Sequence, residues 1–166
     1  MHYITIKPSI DLDLLEDDII LNFKHIKPEF NKCSLWVESD EFSKIVEVIL
    51  DKLKKETKEN FDVYVKSIFT CVEEGTQEKI EFTKQLKNGI NSLSKYSFIF
   101  FTKSFDSKVL LKFDNMISEV TLHDGDLLIF KTENFLSDIS QTPKRMGIYG
   151  SLTNEIIPIT TNKNLI

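Results

Sequence analysis

The stretch that decides the fold starts at Tyr96 and reads as a series of short runs: YSFIFFT (96–102), KVLLKF (108–113), ISEVTL (117–122), DLLIF (126–130), RMGIYGSL (145–152) and EIIPIT (155–160). Each is rich in Phe, Ile, Val, Leu or Tyr, and each is bounded by Ser, Asp, Asn or Gly. Residues of that kind pack well on a pleated surface, and turn residues at this spacing belong to a sandwich or barrel. The expected architecture is α+β: an antiparallel double-sheet jelly roll in the C-terminal half, with N-terminal helices and strands supporting it. The chain is read as one domain spanning 1–166, with residues 1–95 as the supporting portion and 96–160 as the β core.

The N-terminal half is more mixed. HYITIK (2–7) and DIILNFK (18–24) read as strands, and residues 60–72 read as a third, because Phe61, Val63 and Val65 alternate with polar neighbours. Between them lies a clear helix, Glu41 to about Thr57. Its apolar residues Phe42, Ile45, Val46, Ile49, Leu50 and Leu53 form one stripe at helical spacing. Asp40 is the expected N-cap, and Lys52, Lys54 and Lys55 suit the negative end of the helix dipole. Residues 76–93 fit both a helical face (Phe82, Leu86, Ile90, Leu93) and an alternation (Ile80, Phe82), and Gly89 weakens a continuous helix.

Composition narrows the function classes. The low Gly and Pro content, 5 and 4 residues, together with 41% hydrophobic residues, excludes collagen-like and disordered chains. The longest apolar run is Phe98-Ile99-Phe100-Phe101, far shorter than a membrane-crossing helix needs. A net charge of -5 argues against a broad nucleic-acid groove. The N-terminus carries acid where a secretory leader would be apolar, and Cys33 and Cys71 are too few for a disulfide scaffold, so a cytoplasmic location is expected. Of 21 basic residues only Arg145 is Arg. With many Ile, Asn and Phe, this bias suggests an AT-rich genome such as that of a phage, a large virus or a low-GC bacterium; a viral source would place the protein in a host cytoplasm.

Three segments in order carry a family resemblance: YSFIFFT, then ISEVTLHDGDLLIF with its Gly-Asp turn, then KRMGIYGSL. Together they resemble the double-stranded β-helix of the iron(II)- and 2-oxoglutarate-dependent oxygenases, in particular the prolyl-hydroxylase-like branch. The resemblance covers about a third of the chain. It implies that Arg145 stands where the family's Arg binds the distal carboxylate of 2-oxoglutarate. The following Met146-Gly147 replaces the usual small-polar pattern. Arg145 therefore keeps two readings, a clamp for a small anionic ligand or a structural ion pair.

The resemblance also implies an iron site of the His-x-Asp/Glu plus distal His kind, and here the sequence departs from it. KQLKNGINSLSK, before Tyr96, holds neither His nor Asp, and FKTENFLSDISQTPKR holds no His; Leu136 or Asp138 stands near the place of the distal ligand. The three histidines are His2, His25 and His123. His123, Asp126 and Asp138 remain the weak metal candidates, and HDGD (123–126) reads first as a turn with Gly125 supplying φ > 0. Asp124, Glu133 and Asp138 lack any patterned spacing for a hard cation.

Cys33 and Cys71 show no zinc spacing and read as buried thiols. No P-loop, GxGxxG or GxSxG is present. Trp36 is either a core cap at the helix entrance or an anchor for a protein partner.

The expected function is a non-catalytic oxygenase-like protein that binds a protein or small ligand, with no cofactor. Two alternatives stand beside it: an active hydroxylase using iron(II), 2-oxoglutarate and atypical ligands, and an acidic viral effector binding a host protein. A protein is the expected partner, with neither nucleic acid nor membrane, and the sequence sets no oligomeric state.

Overall fold

The computed structural model describes residues 3–24, 39–59, 62–70, 95–138 and 146–153. Eight strands and two helices are described: β1 (Tyr3–Ile6), α1 (Leu12–Lys24), α2 (Asp40–Thr57), β2 (Asp62–Thr70), β3 (Tyr96–Lys103), β4 (Ser107–Phe113), β5 (Met116–Leu122), β6 (Leu127–Lys131), β7 (Phe135–Asp138) and β8 (Met146–Thr153). They form two antiparallel sheets. The larger has the order β1-β6-β3-β8-β2 and the smaller β5-β4-β7. This is the expected jelly-roll-like architecture, and two strands of the N-terminal portion, β1 and β2, are members of the larger sheet.

The parity of β3 explains its unbroken apolar run. Phe98 and Phe100 face one core with Leu127, Ile129, Ile148 and Leu152, while Ile99 and Phe101 face another with Val109, Leu111, Leu128 and Phe130. The first core lies under α1 and α2, and the second lies between the sheets. A strand covered on both faces has no polar side, so it reads as a continuous hydrophobic run. Strands β4 and β5 cover only one face and alternate accordingly.

Helix α2 buries Phe42, Ile45, Ile49 and Leu53, the expected stripe. Its N-cap is Ser39 rather than Asp40: the Ser39 hydroxyl accepts from the Phe42 N–H at 3.2 Å. Asp40 sits one residue inside, where its charge still favours the helix dipole. At the other end Lys58 takes the left-handed conformation, φ 62°, and its N–H bonds the Lys54 carbonyl.

Residues 18–24 are not a strand but the second half of α1. The Asp11 carboxylate accepts from the Asp13 and Leu14 N–H groups at 3.0 and 3.2 Å, capping a helix whose Leu15 and Ile19 are fully buried. Leu21, two residues from Ile19, is exposed. In a strand both would share a face. Glu41 ties the two helices together, accepting from the Asp11 N–H at 2.7 Å and from the Lys44 ammonium at 2.7 Å.

Ambiguous residues 76–93 and the expected strand 155–160 lie outside the described residues, as do His2, His25, Cys33, Trp36, Cys71 and Arg145. No helix among the described residues is long and apolar enough to cross a membrane.

Candidate functional site

Antiparallel register gathers several chain segments at one end of the sandwich. Thr70 and Lys103 both pair with Met146, so the end of β2, the end of β3 and the start of β8 lie side by side. Leu127 pairs with Phe100 and Ile6, which adds the start of β6 and the end of β1. In the smaller sheet Ser107 pairs with Leu122 and Val109 with Asp138, placing the start of β4 and the ends of β5 and β7 at the same end. Arg145 immediately precedes Met146 in the chain.

Two tight turns close this end. In the first, residues 104–107, the Ser107 N–H bonds the Ser104 carbonyl at 3.1 Å and the central residues Phe105 and Asp106 have φ of 50° and 54°. Positive φ at both central positions is the type I′ pattern, which ordinarily takes Asn or Gly. In the second, residues 123–126, the Asp126 N–H bonds the His123 carbonyl at 3.0 Å and Gly125 has φ 83°, as the HDGD sequence suggests. The Gly125 N–H reaches the Phe101 carbonyl at 2.8 Å.

The carboxylates here serve the backbone. Asp126 Oδ2 accepts from the His123 N–H at 2.7 Å, and its Oδ1 stands 3.7 Å from the Lys7 ammonium. Asp124 Oδ1 accepts from the Ser104 N–H at 2.8 Å and the Ser104 hydroxyl at 3.2 Å, linking the turns. The His123 ring turns away from Asp126: its Nδ1 meets Asp106 Oδ1 at 2.9 Å on the exposed rim. Since an ionised carboxylate only accepts, Nδ1 carries the proton and Nε2 is left for another partner.

An open cavity of about 600 Å³ lies between these turns, lined by Lys7, Lys103, Ser104, Phe105, Asp106, His123 and Asp124. Phe105 keeps half of its surface exposed there. Of the residues singled out from sequence, the structure brings His123, Asp124 and Asp126 together on one turn. Asp138 ends β7 at the same end of the sandwich. Lys7, Lys103, Phe105 and Asp106 carried no sequence signal. Lys7 follows β1 and Lys103 ends β3, segments far apart in the chain, and Phe-Asp is not a pair that any turn rule flags.

Among the described residues no group of three or more His, Cys, Asp or Glu side chains converges, and Asp124 and Asp126 each accept from a backbone N–H group.

No family model and no curated protein matches the sequence. Among solved structures, the crystal structure of a prolyl-4-hydroxylase from Pseudomonas putida is similar at a TM-score of 0.53 and 9% identity, covering 93% of each chain. A match of that extent at so low an identity establishes the fold alone: this chain has a jelly-roll-like β fold similar to that of the prolyl-4-hydroxylase.

Proposed function

We propose that this protein is an oxygenase-fold relative without iron chemistry, working as a binding module for a protein or small ligand. The observation that carries this reading is the use made of the acidic and histidine side chains at the described end of the sandwich. They cap turns and pair with one another instead of converging on an ion. The sequence supports it, since neither 84–95 nor 130–145 offers a His. The bias toward Lys over Arg fits an AT-rich source, a phage or virus among them, and a cytoplasmic setting belongs to the same reading.

The rival reading, an active hydroxylase with atypical ligands such as His123 or Asp138, draws on the fold similarity. Thermal unfolding with manganese(II), with 2-oxoglutarate and with both separates the two. A ligand at a hundred times its dissociation constant stabilises a native protein by about 2.7 kcal/mol. The binding-module reading predicts no shift that requires both additions. A shift seen only with both would establish a working cosubstrate site and replace this reading with the rival one.

A further inference from the structure

We propose that the outward face of α1 is a docking surface for a cationic amphipathic helix of another protein. This goes beyond the binding-module reading, because the surface belongs to the helical layer and stands whether or not the β core holds iron. Leu14 and Leu21 are 52% and 57% exposed. Seven residues apart, they lie on one line along the helix, about 10 Å from each other along its axis. The buried Leu15 and Ile19 sit about 100° and 140° round from Leu14, so the pair faces away from the core. Apolar residues at that spacing form the seam by which one helix packs along another. Met116 and Ile117 are also exposed, but they are consecutive on β5 and point to opposite faces, so they make no common surface.

The charge around the two leucines selects the occupant. Helix α1 carries Asp13, Glu16, Asp17 and Asp18 against one basic residue, Lys24. Asp17 falls between the leucines, three residues after Leu14 and four before Leu21, and Asp13 stands one turn before it; both are exposed. Glu16 is paired with Lys103 at 3.6 Å, whereas Asp13 and Asp17 have no ion pair among the described residues. Two aspartates at i and i+4 repel each other, and a cation on a partner helix relieves that repulsion. A second copy would set the same acids against these, and a nucleic acid or an anionic lipid surface would be repelled as well. The complement of this face is an apolar helical stripe flanked by Lys or Arg.

The test follows backbone amide shifts of ¹⁵N-labelled protein during titration with a three-heptad helical peptide. The peptide carries Leu at every a and d position and Lys at every e and g position, a pattern whose like charges keep the probe from pairing with itself. A control peptide has Glu at e and g. Saturable shifts on α1 are expected with the Lys peptide alone, weakening as salt rises. Leu14→Gln/Leu21→Gln should weaken binding at least tenfold without lowering the melting temperature, whereas Met116→Gln/Ile117→Gln should leave binding unchanged. The reversal Asp13→Lys/Asp17→Lys should transfer the preference to the Glu peptide, an exchange that a merely structural role of the aspartates would not give. Equal binding of the two peptides, shifts centred outside α1, undiminished binding by the leucine variant, or no saturable shift at millimolar peptide would each overturn the assignment. So would a lower melting temperature in the leucine variant, which would mean that the chain covers this face itself. A dimer in sedimentation equilibrium that the same variant abolishes would overturn it too, making a second copy the occupant.

Discussion

Replacing Phe98 with Ala tests how the helical layer is attached to the β core. Phe98 lies on the central strand β3, is fully buried, and faces Phe42 of α2 at a centroid distance of 6.5 Å and an interplanar angle of 38°. An aromatic side chain in such a place buries on the order of 150 Å². At about 25 cal/mol per Å² its removal costs about 4 kcal/mol, within the range of about 3–5 kcal/mol typical of core Phe→Ala changes. With a urea dependence of about 2 kcal/mol per M, the unfolding midpoint read by circular dichroism should fall by about 2 M. A double-mutant cycle with Phe42→Leu and Phe98→Leu should return a coupling of about 1 kcal/mol for the ring pair. A loss below about 1 kcal/mol for Phe98→Ala, or no coupling in the cycle, would refute the placement of α2 on this face.

Three further outcomes follow from particular contacts. Ile19→Ala should cost about 2–4 kcal/mol, whereas Leu21→Ala should stay within about 0.5 kcal/mol; equal costs in urea melts would mean that 18–24 is a strand after all. Gly125→Ala should destabilise by about 1–2 kcal/mol, because φ 83° strains any residue with a Cβ, while the added atom meets Leu12 at an ordinary contact distance of 3.4 Å. The hydrogen bond from Lys44, followed by that from the Asp11 N–H, holds the Glu41 carboxyl below its usual range against the opposing effect of burial. A depressed folded-state value makes the Glu41 contribution complete above the unfolded value of about 4.3 and lost as pH falls through the lower folded value. Glu41→Gln should flatten the acid limb of a stability–pH profile, and an unchanged limb would remove Glu41 as its cause.

The sheet-forming half was legible because its code is local. Strands β4 and β5 alternate, β3 and β6 carry unbroken apolar runs (Phe98–Phe101 and Leu127–Phe130), and HDGD announces a turn with one glycine at positive φ. Helix α2 was legible for the same reason, since its stripe from Phe42 to Leu53 runs over about three turns. Helix α1 was not: Ile19, Leu21 and Phe23 alternate like a strand, and the helical stripe through Leu15 and Ile19 shows only when the start at Leu12 is known. The rim cavity was the least legible part. Lys7 and Lys103 line one cavity because the sheet order places β1 and β3 on either side of β6, a long-range arrangement without a local pattern. Phe105 and Asp106 hold positive φ where Asn or Gly is usual, so the turn rules pass over 104–107.

The central claim is that an oxygenase-like fold here serves binding without iron chemistry. Its most direct test is anaerobic reconstitution with iron(II) and 2-oxoglutarate, followed by measurement of bound iron per chain and of succinate formed on admitting oxygen. The account predicts no stoichiometric iron and no succinate above the protein-free control. Stoichiometric iron together with turnover of 2-oxoglutarate, abolished by Arg145→Lys, would contradict it.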